Sequence, residues 1–185
     1  MDLDKAIQSR KSVKRFNSKK PDWRDILEAI NAARYAPMAG NNYTLRFILI
    51  SDKEKINKIA ECAQQDFVSK AHYLVIACSN LSRVVNSFEE RGETYTKQQA
   101  GAAIQNFLLK AEELGLATCW VGHFVESQIK RDLKIPKDVN VEAILPIGFE
   151  YQKKRTRKAP CELDKILYFE KYGQRKMKEP KKIDV

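Results

Sequence analysis

Apolar residues recur at helical spacing in six segments of the chain, and these segments predict helices. The second segment follows Pro21 and ends before Pro37, and the longest ends at Gly115, which are common places for a helix to start or stop. Asp52 is placed to cap the third segment. The predicted helices are a short amphipathic helix before Ser9 and helices over residues 22–33, 52–63, 97–114, 126–133 and 163–172.

Four continuous apolar runs lie between these helices and predict buried β-strands. They cover residues 47–50, 73–78, 117–121 and 141–148. Pro146 cannot donate a backbone hydrogen bond, so it indicates an edge or a bulge at the end of the fourth strand. The alternation of helices and strands predicts a layered α/β or α+β domain.

The length of 185 residues suits one domain with a substantial core. We predict a single domain over residues 1–173 and a charged tail over 174–185. No apolar run approaches the roughly 20 residues that a membrane-spanning helix needs, and the first residues lack the basic-then-apolar order of a secretion signal. The sequence therefore predicts a cytoplasmic protein without a membrane segment.

The net charge of +10 is concentrated at two places in the chain. Residues 9–24 contain seven Lys and Arg against one acid, and residues 151–185 contain twelve against five, whereas the remainder is slightly acidic. A basic balance of this size can indicate nucleic-acid binding, but aromatic residues are not interleaved with most of the basic runs and no nucleic-acid module is present. We expect the two basic regions to converge on one small anionic ligand instead.

Cysteine and histidine usage favours free thiols over disulfides or a metal site. There is no C-x-x-C pair and no paired ligand spacing, and two of the cysteines lie in apolar, strand-like contexts. The residues concerned are Cys62, Cys78, Cys119 and Cys161, with His72 and His123.

Residues 9–16 (SRKSVKRF) carry four cations and two hydroxyl groups around one apolar position. Arg offers a planar fork of donors, Lys a mobile charge and Ser a short hydroxyl donor, and this combination can surround a terminal phosphate. Taken in isolation, such a run is more often a solvated basic face, and Arg15 and Arg24 are better interpreted as surface charges. The chain lacks G-x-G-x-x-G, a P-loop and a G-x-S-x-G elbow, so a bound cofactor would have to supply any chemistry.

The order of five short motifs resembles the FMN-dependent nitroreductase family over nearly the whole chain. Residues 9–16 are similar to that family's R-x-S-x-[RK]-x-[FY] opening, and residues 36–41 to its A-P-S-x-x-N loop. Residues 101–109 resemble its central helix. Residues 119–122 and 145–149 fall where the family has its flavin-facing strand end and its P-[IVL]-G segment.

The resemblance implies an α+β fold, with a mixed, mainly antiparallel sheet flanked by helices, in a homodimer with FMN at the subunit interface. Arg10, Ser12 and Lys14 would hold the FMN phosphate, and Lys11 would offer backbone groups near the ring. A C-terminal loop would close the phosphate site, through Arg155, Arg157 or Lys158.

The remaining cofactor contacts implied by the resemblance come from three other segments. The first is near Gln65, and the second is the strand end, where backbone N–H groups around Val121 and Gly122 would face flavin N5. The third is a loop from the other subunit. The implied residues are Gln65, Cys119, Trp120, Val121 and Gly122, with Pro37, Met38, Ala39 and Asn41 of the second copy.

The implied activity is a ping-pong transfer, in which NADH or NADPH reduces the flavin and the flavin reduces a nitroaromatic, a quinone or a related acceptor. No side-chain acid or base is assigned to it. The alternative is a flavin-binding or flavin-sequestering protein without nicotinamide-driven turnover. Trp120 could be a pocket wall or core, Tyr43 could line the substrate mouth or pack its loop, and His123 could contact substrate.

Two departures from the family pattern fall on the expected substrate side. Met38 stands where Ser is frequent, and residues 42–45 (NYTL) replace the common continuation with Gln-Pro-Trp. Residues 79–98 are also short compared with members that extend here to cover the flavin. We expect an open, weakly selective pocket.

Overall fold

A four-stranded antiparallel sheet forms the centre of the protein in the computed structural model, which describes residues 1–82, 84, 88–152 and 160–177. The strand order is β1-β2-β4-β3. Each of the three neighbouring pairs is antiparallel, so the sheet is entirely antiparallel within the described residues. This confirms the predicted α+β class. The strands are β1 (Leu45–Ile50), β2 (Tyr73–Asn80), β3 (Ala117–Thr118) and β4 (Val139–Gly148).

Pro146 lies in an interior strand, not at the edge that its missing N–H suggested. Pro146 is opposite Leu74 of β2. The N–H of Ile144 points away from β2, to Val121, and backbone N–H groups two residues apart in a strand point to the same side. The nitrogen of Pro146 therefore also points away from β2. On that side the neighbouring chain leaves the sheet between Thr118 and Val121. A proline is tolerated here because there is no ladder partner for the N–H it lacks.

Among the described residues up to 152, five helices of two or more turns surround the sheet, and most of them begin and end close to the expected positions. Asp22 and Asp52 cap their helices by accepting from the backbone N–H of Arg24 and Lys55. The longest helix begins six residues before the predicted start at Lys97, because its first turns are polar and their buried residues are small. The helices are α1 (Leu3–Ser9), α2 (Trp23–Ala33), α3 (Lys53–Ala63), α4 (Arg91–Glu113) and α5 (Glu126–Leu133).

The core consists of one apolar layer on each face of the sheet. Residues of α2 and α4, among them Ile26 and Phe107, pack against one face, and residues of α3 and α5, among them Ile56 and Ile129, pack against the other. All four side chains are at most 1% exposed. Helices on both faces leave one end of the sheet, where β3 lies beside the last residues of β4, as the place where loops meet.

Residues 156–185 contact one another more than the rest of the chain and form a second compact unit. The helix predicted over 163–172 in this unit is wrong in length. Only Leu163–Ile166 is helical, as α6. Glu170 and Gly173 then adopt positive φ angles of 57° and 88°, and the backbone N–H of Phe169 donates to Gln174 O. This turn replaces the last turns of the predicted helix. The single domain over 1–173 stays a prediction.

No helix in the described part of the chain is both long and apolar enough to cross a membrane.

Candidate functional site

Backbone hydrogen bonds hold the basic segment of residues 10–17 in an extended conformation at the end of the sheet. The N–H of Val13 donates to Thr118 O at 2.8 Å, and that of Asn17 donates to Phe149 O at 2.8 Å. Tyr151 returns a bond to Arg15 O at 3.0 Å. The segment is therefore a fixed part of the fold and not a free basic loop.

Alternation along this segment turns the predicted phosphate ligands to one side. Val13 is buried, whereas Ser12 and Lys14 are exposed. Burial raises the pKa of the Cys119 thiol, and a hydrogen bond with Ser12 and the charges of Lys14 and Arg10 oppose that rise. Because Val13 is bonded to Thr118 and Cys119 follows it, the exposed side chains of Ser12 and Lys14 lie next to the chain at the end of the sheet.

Lys11 has a different environment from its cationic neighbours. Its Nζ lies 2.8 Å from Glu150 Oε1, and both side chains are less than a third exposed. The ion pair gives this cation a counter-ion within the protein, and the expectation that Lys11 offers backbone groups near the ring stays a prediction. Sequence reasoning missed Glu150, although an acid directly before a basic loop is a signal for a counter-ion.

Gln65 lies in the segment that carries Phe67, which Lys14 contacts. Lys14 Nζ is 5.2 Å from the centre of the Phe67 ring. Gln64, in the left-handed conformation with φ 52°, ends α3 and directs the chain into a short 3-10 helix, Asp66–Lys70. Gln65 is half-buried at the start of this turn. The structure thus places the turn that begins after Gln65 next to Lys14.

The strand predicted over 117–121 is interrupted at Cys119 and Trp120. Ala117 and Thr118 pair with β4, and Val121 returns to it, where it exchanges two backbone hydrogen bonds of 3.0 Å with Ile144. The Val121 N–H is therefore engaged in the sheet and cannot face a flavin, which corrects that detail of the expectation. Gly122 and His123 are exposed, and Trp120 is 39% exposed, so its ring is not core.

A glutamine on α4 holds the loop that contains Pro37, Met38, Ala39 and Asn41. Gln99 Oε1 accepts from Thr44 N at 2.8 Å and from Thr44 Oγ1 at 2.6 Å, and its Nε2 donates to Asn42 O at 3.2 Å. Tyr43 packs the loop, because its hydroxyl donates to Ala33 O at 3.2 Å, and burial raises its pKa. The sequence signal for Gln99 was a polar residue on an apolar helix face.

Gln99→Leu is expected to lower the free energy of unfolding by about 2 kcal/mol or more, because it leaves buried donors of Thr44 unpaired. Urea unfolding measures this, and limited proteolysis should show earlier cleavage within residues 37–44. Gln105→Leu, an exposed position on the same helix, is the control and should change stability by less than about 0.5 kcal/mol. Equal effects of the two variants would contradict the role of Gln99.

The second basic region begins beside the first, at Tyr151, and its residues 153–159 lie outside the described part of the chain. The guanidinium of Arg15 is 5.1 Å from the centre of the Tyr151 ring, and the Tyr151 N–H bonds Arg15 O. The chain therefore leaves the sheet next to the basic segment. The predicted ligands Arg155, Arg157 and Lys158 lie outside the described residues.

Three of the four cysteines are buried free thiols, and Cys161 is exposed. Burial raises the pKa of Cys78 to about 11. In the native protein, an aromatic disulfide reagent is expected to modify Cys161 rapidly and the other thiols only on unfolding. Cys161→Ser should remove the fast phase, and a fast phase that persists would contradict the burial of the remaining three. The described residues hold no group of three potential metal ligands.

Comparison with known proteins gives the fold and the family. The chain is 27% identical to a nitroreductase family protein from Clostridium novyi NT, whose crystal structure it matches with a TM-score of 0.75 over 94% of this chain and 96% of that one. It is 23% identical over 168 residues to an iodotyrosine deiodinase from Thermotoga neapolitana, covering 77% of this chain and 85% of the relative.

A third relative carries a flavin in its name. It is an FMN reductase (NADPH) from Bacillus subtilis, which is 25% identical over 130 residues, 63% of this chain and 52% of the relative. The family model named Nitroreductase family matches residues 7–71 and 59–149, which include the basic segment, both central strands and the end of β3. The chain belongs to the nitroreductase family.

Proposed function

We propose that this protein is an FMN-dependent oxidoreductase that takes hydride from NADH or NADPH and reduces a small acceptor such as a nitroaromatic or a quinone. The observation that supports it most is that a basic segment, with Ser12 and Lys14 exposed on one side, is hydrogen-bonded to Thr118 at the end of the sheet. Family membership and the FMN reductase relative support the same cofactor and reductant.

The donor set at this point fits the FMN phosphate. A guanidinium, an ammonium and a hydroxyl supply charge-assisted and neutral donors, and the fixed backbone of residues 12–17 limits their loss of freedom on binding. Arg155, Arg157 or Lys158 would complete the phosphate contacts. Gln65, Cys119, Trp120 and Gly122 would lie along the rest of the cofactor, and residues 37–39 with Asn41 would come from a second copy.

FMN supplies the redox chemistry, and the protein's share is binding, orientation and charge. The cations of residues 10–14 give the sheet's end a positive potential that stabilises an anionic ligand. The Lys11–Glu150 ion pair places a counter-ion beside the basic segment. No side chain near Cys119 is needed as an acid or base in this account.

A homodimer is part of the proposal, because the site would take residues 37–41 from a second copy. Gly101 of α4 is half-buried in a single chain, and a Cβ at this position would meet nothing within 4 Å. Small residues let another helix approach closely. Leu3 and Ile7 of α1 are 64% and 49% exposed, which also favours cover by another chain. The cytoplasmic location stays a prediction.

Steady-state kinetics test the proposed activity. Initial rates with NADH or NADPH and a neutral acceptor such as 4-nitrobenzamide should give parallel double-reciprocal lines, the signature of a ping-pong cycle. Flavin that is bound but never reduced by either nicotinamide would favour the flavin-sequestering alternative. Intersecting lines would contradict the proposed order of transfer.

A further inference from the structure

A shallow cleft separates the loop at residues 37–39 from the N-terminal half of α4. Its walls include Pro37, Met38 and Ala39 on the loop and Tyr95, Gln98 and Ala102 on the helix. Since the loop residues are proposed to contact the cofactor of a second copy, a molecule in this cleft would lie close to that cofactor. The cleft is therefore a candidate for the acceptor.

Arg91 lies on the helix face that lines the cleft. Arg91, Tyr95, Gln98 and Ala102 follow the spacing i, i+4, i+7 and i+11, which places them along one face of a helix. The guanidinium of Arg91 is 5.3 Å from the centre of the Tyr95 ring. A rise of about 1.5 Å per residue puts Arg91 about 6 Å beyond Tyr95 along the axis. The guanidinium of Arg91 therefore lies next to the ring of Tyr95, at one end of the cleft.

Phe88 connects the two walls of the cleft. Its ring meets that of Tyr95 edge-on, with centres 5.4 Å apart and planes at 87°. It also packs on Gly40, where φ is +56° and an added Cβ would lie 3.0 Å from Phe88 Cζ. The aromatic wall and the loop are therefore held in contact, so the cleft has a defined shape.

The guanidinium of Arg91 is available for an anion. None of the ion pairs within the described ranges includes Arg91, and Glu93, which follows two residues later on the helix, is held by Lys97 at 2.5 Å. An exposed guanidinium stacked on an aromatic ring keeps its edge donors for a carboxylate or phenolate.

We propose that this cleft takes a planar aromatic acceptor that carries an anionic group, with the ring against Tyr95 and Met38 and the anion at Arg91. Arg91 is then a specificity-determining residue. The inference rests on the proposed function, because it names the class of acceptor for that reaction.

The test compares 4-nitrobenzoate with its neutral analogue 4-nitrobenzamide in the flavin-loaded protein. Arg91→Gln should lower kcat/KM for 4-nitrobenzoate about tenfold and leave that for 4-nitrobenzamide within about twofold, since a charge-assisted bond is lost only with the anion. Binding of benzoate, which is not reduced, should weaken about tenfold in calorimetry. Arg131→Gln makes the same substitution on α5, which packs on the other face of the sheet, and should leave kcat/KM for both nitro compounds unchanged.

The outcomes separate this inference from the proposed function. Equal losses for the two nitro compounds, or no loss in either turnover or benzoate binding with Arg91→Gln, would overturn the role of Arg91. A protein that lacks flavin or is not reduced by nicotinamide would refute the proposed function, and benzoate calorimetry on that protein would still decide whether Arg91 binds the anion. Arg91→Lys, which keeps the charge, should retain most of the benzoate affinity.

Discussion

Arg10→Ala combined with Lys14→Ala is expected to weaken FMN binding by about 3–6 kcal/mol, or roughly two to four orders of magnitude in Kd. Each variant removes one charge-assisted contact with the phosphate, and such contacts contribute about 1.5–3 kcal/mol each. Ser12 and the proposed contact from residues 155–158 would be the phosphate contacts that remain. Fluorescence quenching of FMN on titration with apoprotein measures the loss.

A matched double variant distinguishes the effect of direct phosphate contacts on FMN affinity from the effect of the protein's net charge. Lys20→Ala with Arg24→Ala removes two cations from the same basic region, where Lys20 stacks on Tyr73 and Arg24 pairs with Asp22. It should leave FMN affinity within about threefold at physiological salt, because screening weakens interactions beyond a Debye length. Equal losses in the two double variants would show that net charge, and not the site around Cys119, controls binding.

Phe107→Ala is expected to lower the free energy of unfolding by about 3–5 kcal/mol, because a fully buried ring is replaced by a cavity in the core. Urea unfolding at fixed protein concentration measures the change. Tyr35→Ala, at a side chain 77% exposed, should change stability by less than about 0.5 kcal/mol. If the alanine variant does not accumulate, Phe107→Leu should show a smaller loss of the same sign, and no loss there would contradict the packing.

Elements with strong periodicity and explicit caps could be predicted from the sequence. Helices α2 and α3 begin after Asp22 and Asp52 as expected, and the structure shows both caps. The early part of α4 could not be predicted, because Gly92 and Thr96 are buried without forming an apolar stripe. The helix predicted to Tyr172 failed because the chain turns at Glu170 and Gly173.

Candidate site residues in the charged segment could be predicted from the sequence, whereas residues whose role depends on contacts between distant segments could not. The density of donors marked residues 9–16 as a candidate, and the resemblance to the nitroreductase family selected Arg10, Ser12 and Lys14 within it. Glu150 and Gln99 were missed because their partners lie far away in the sequence. Glu150 pairs with Lys11, which is 139 positions away, and Gln99 bonds Thr44, which is 55 positions away. The amide of Val121 was misassigned because only the register with Ile144 shows that it is already bonded.

The purified, full-length protein's absorption spectrum under anaerobic conditions tests the central claim most directly. The account predicts a yellow protein with an oxidised-flavin band that disappears on addition of NADH or NADPH and returns when a quinone or nitroaromatic is added. A colourless protein that neither binds added FMN nor gains thermal stability from it would contradict the account.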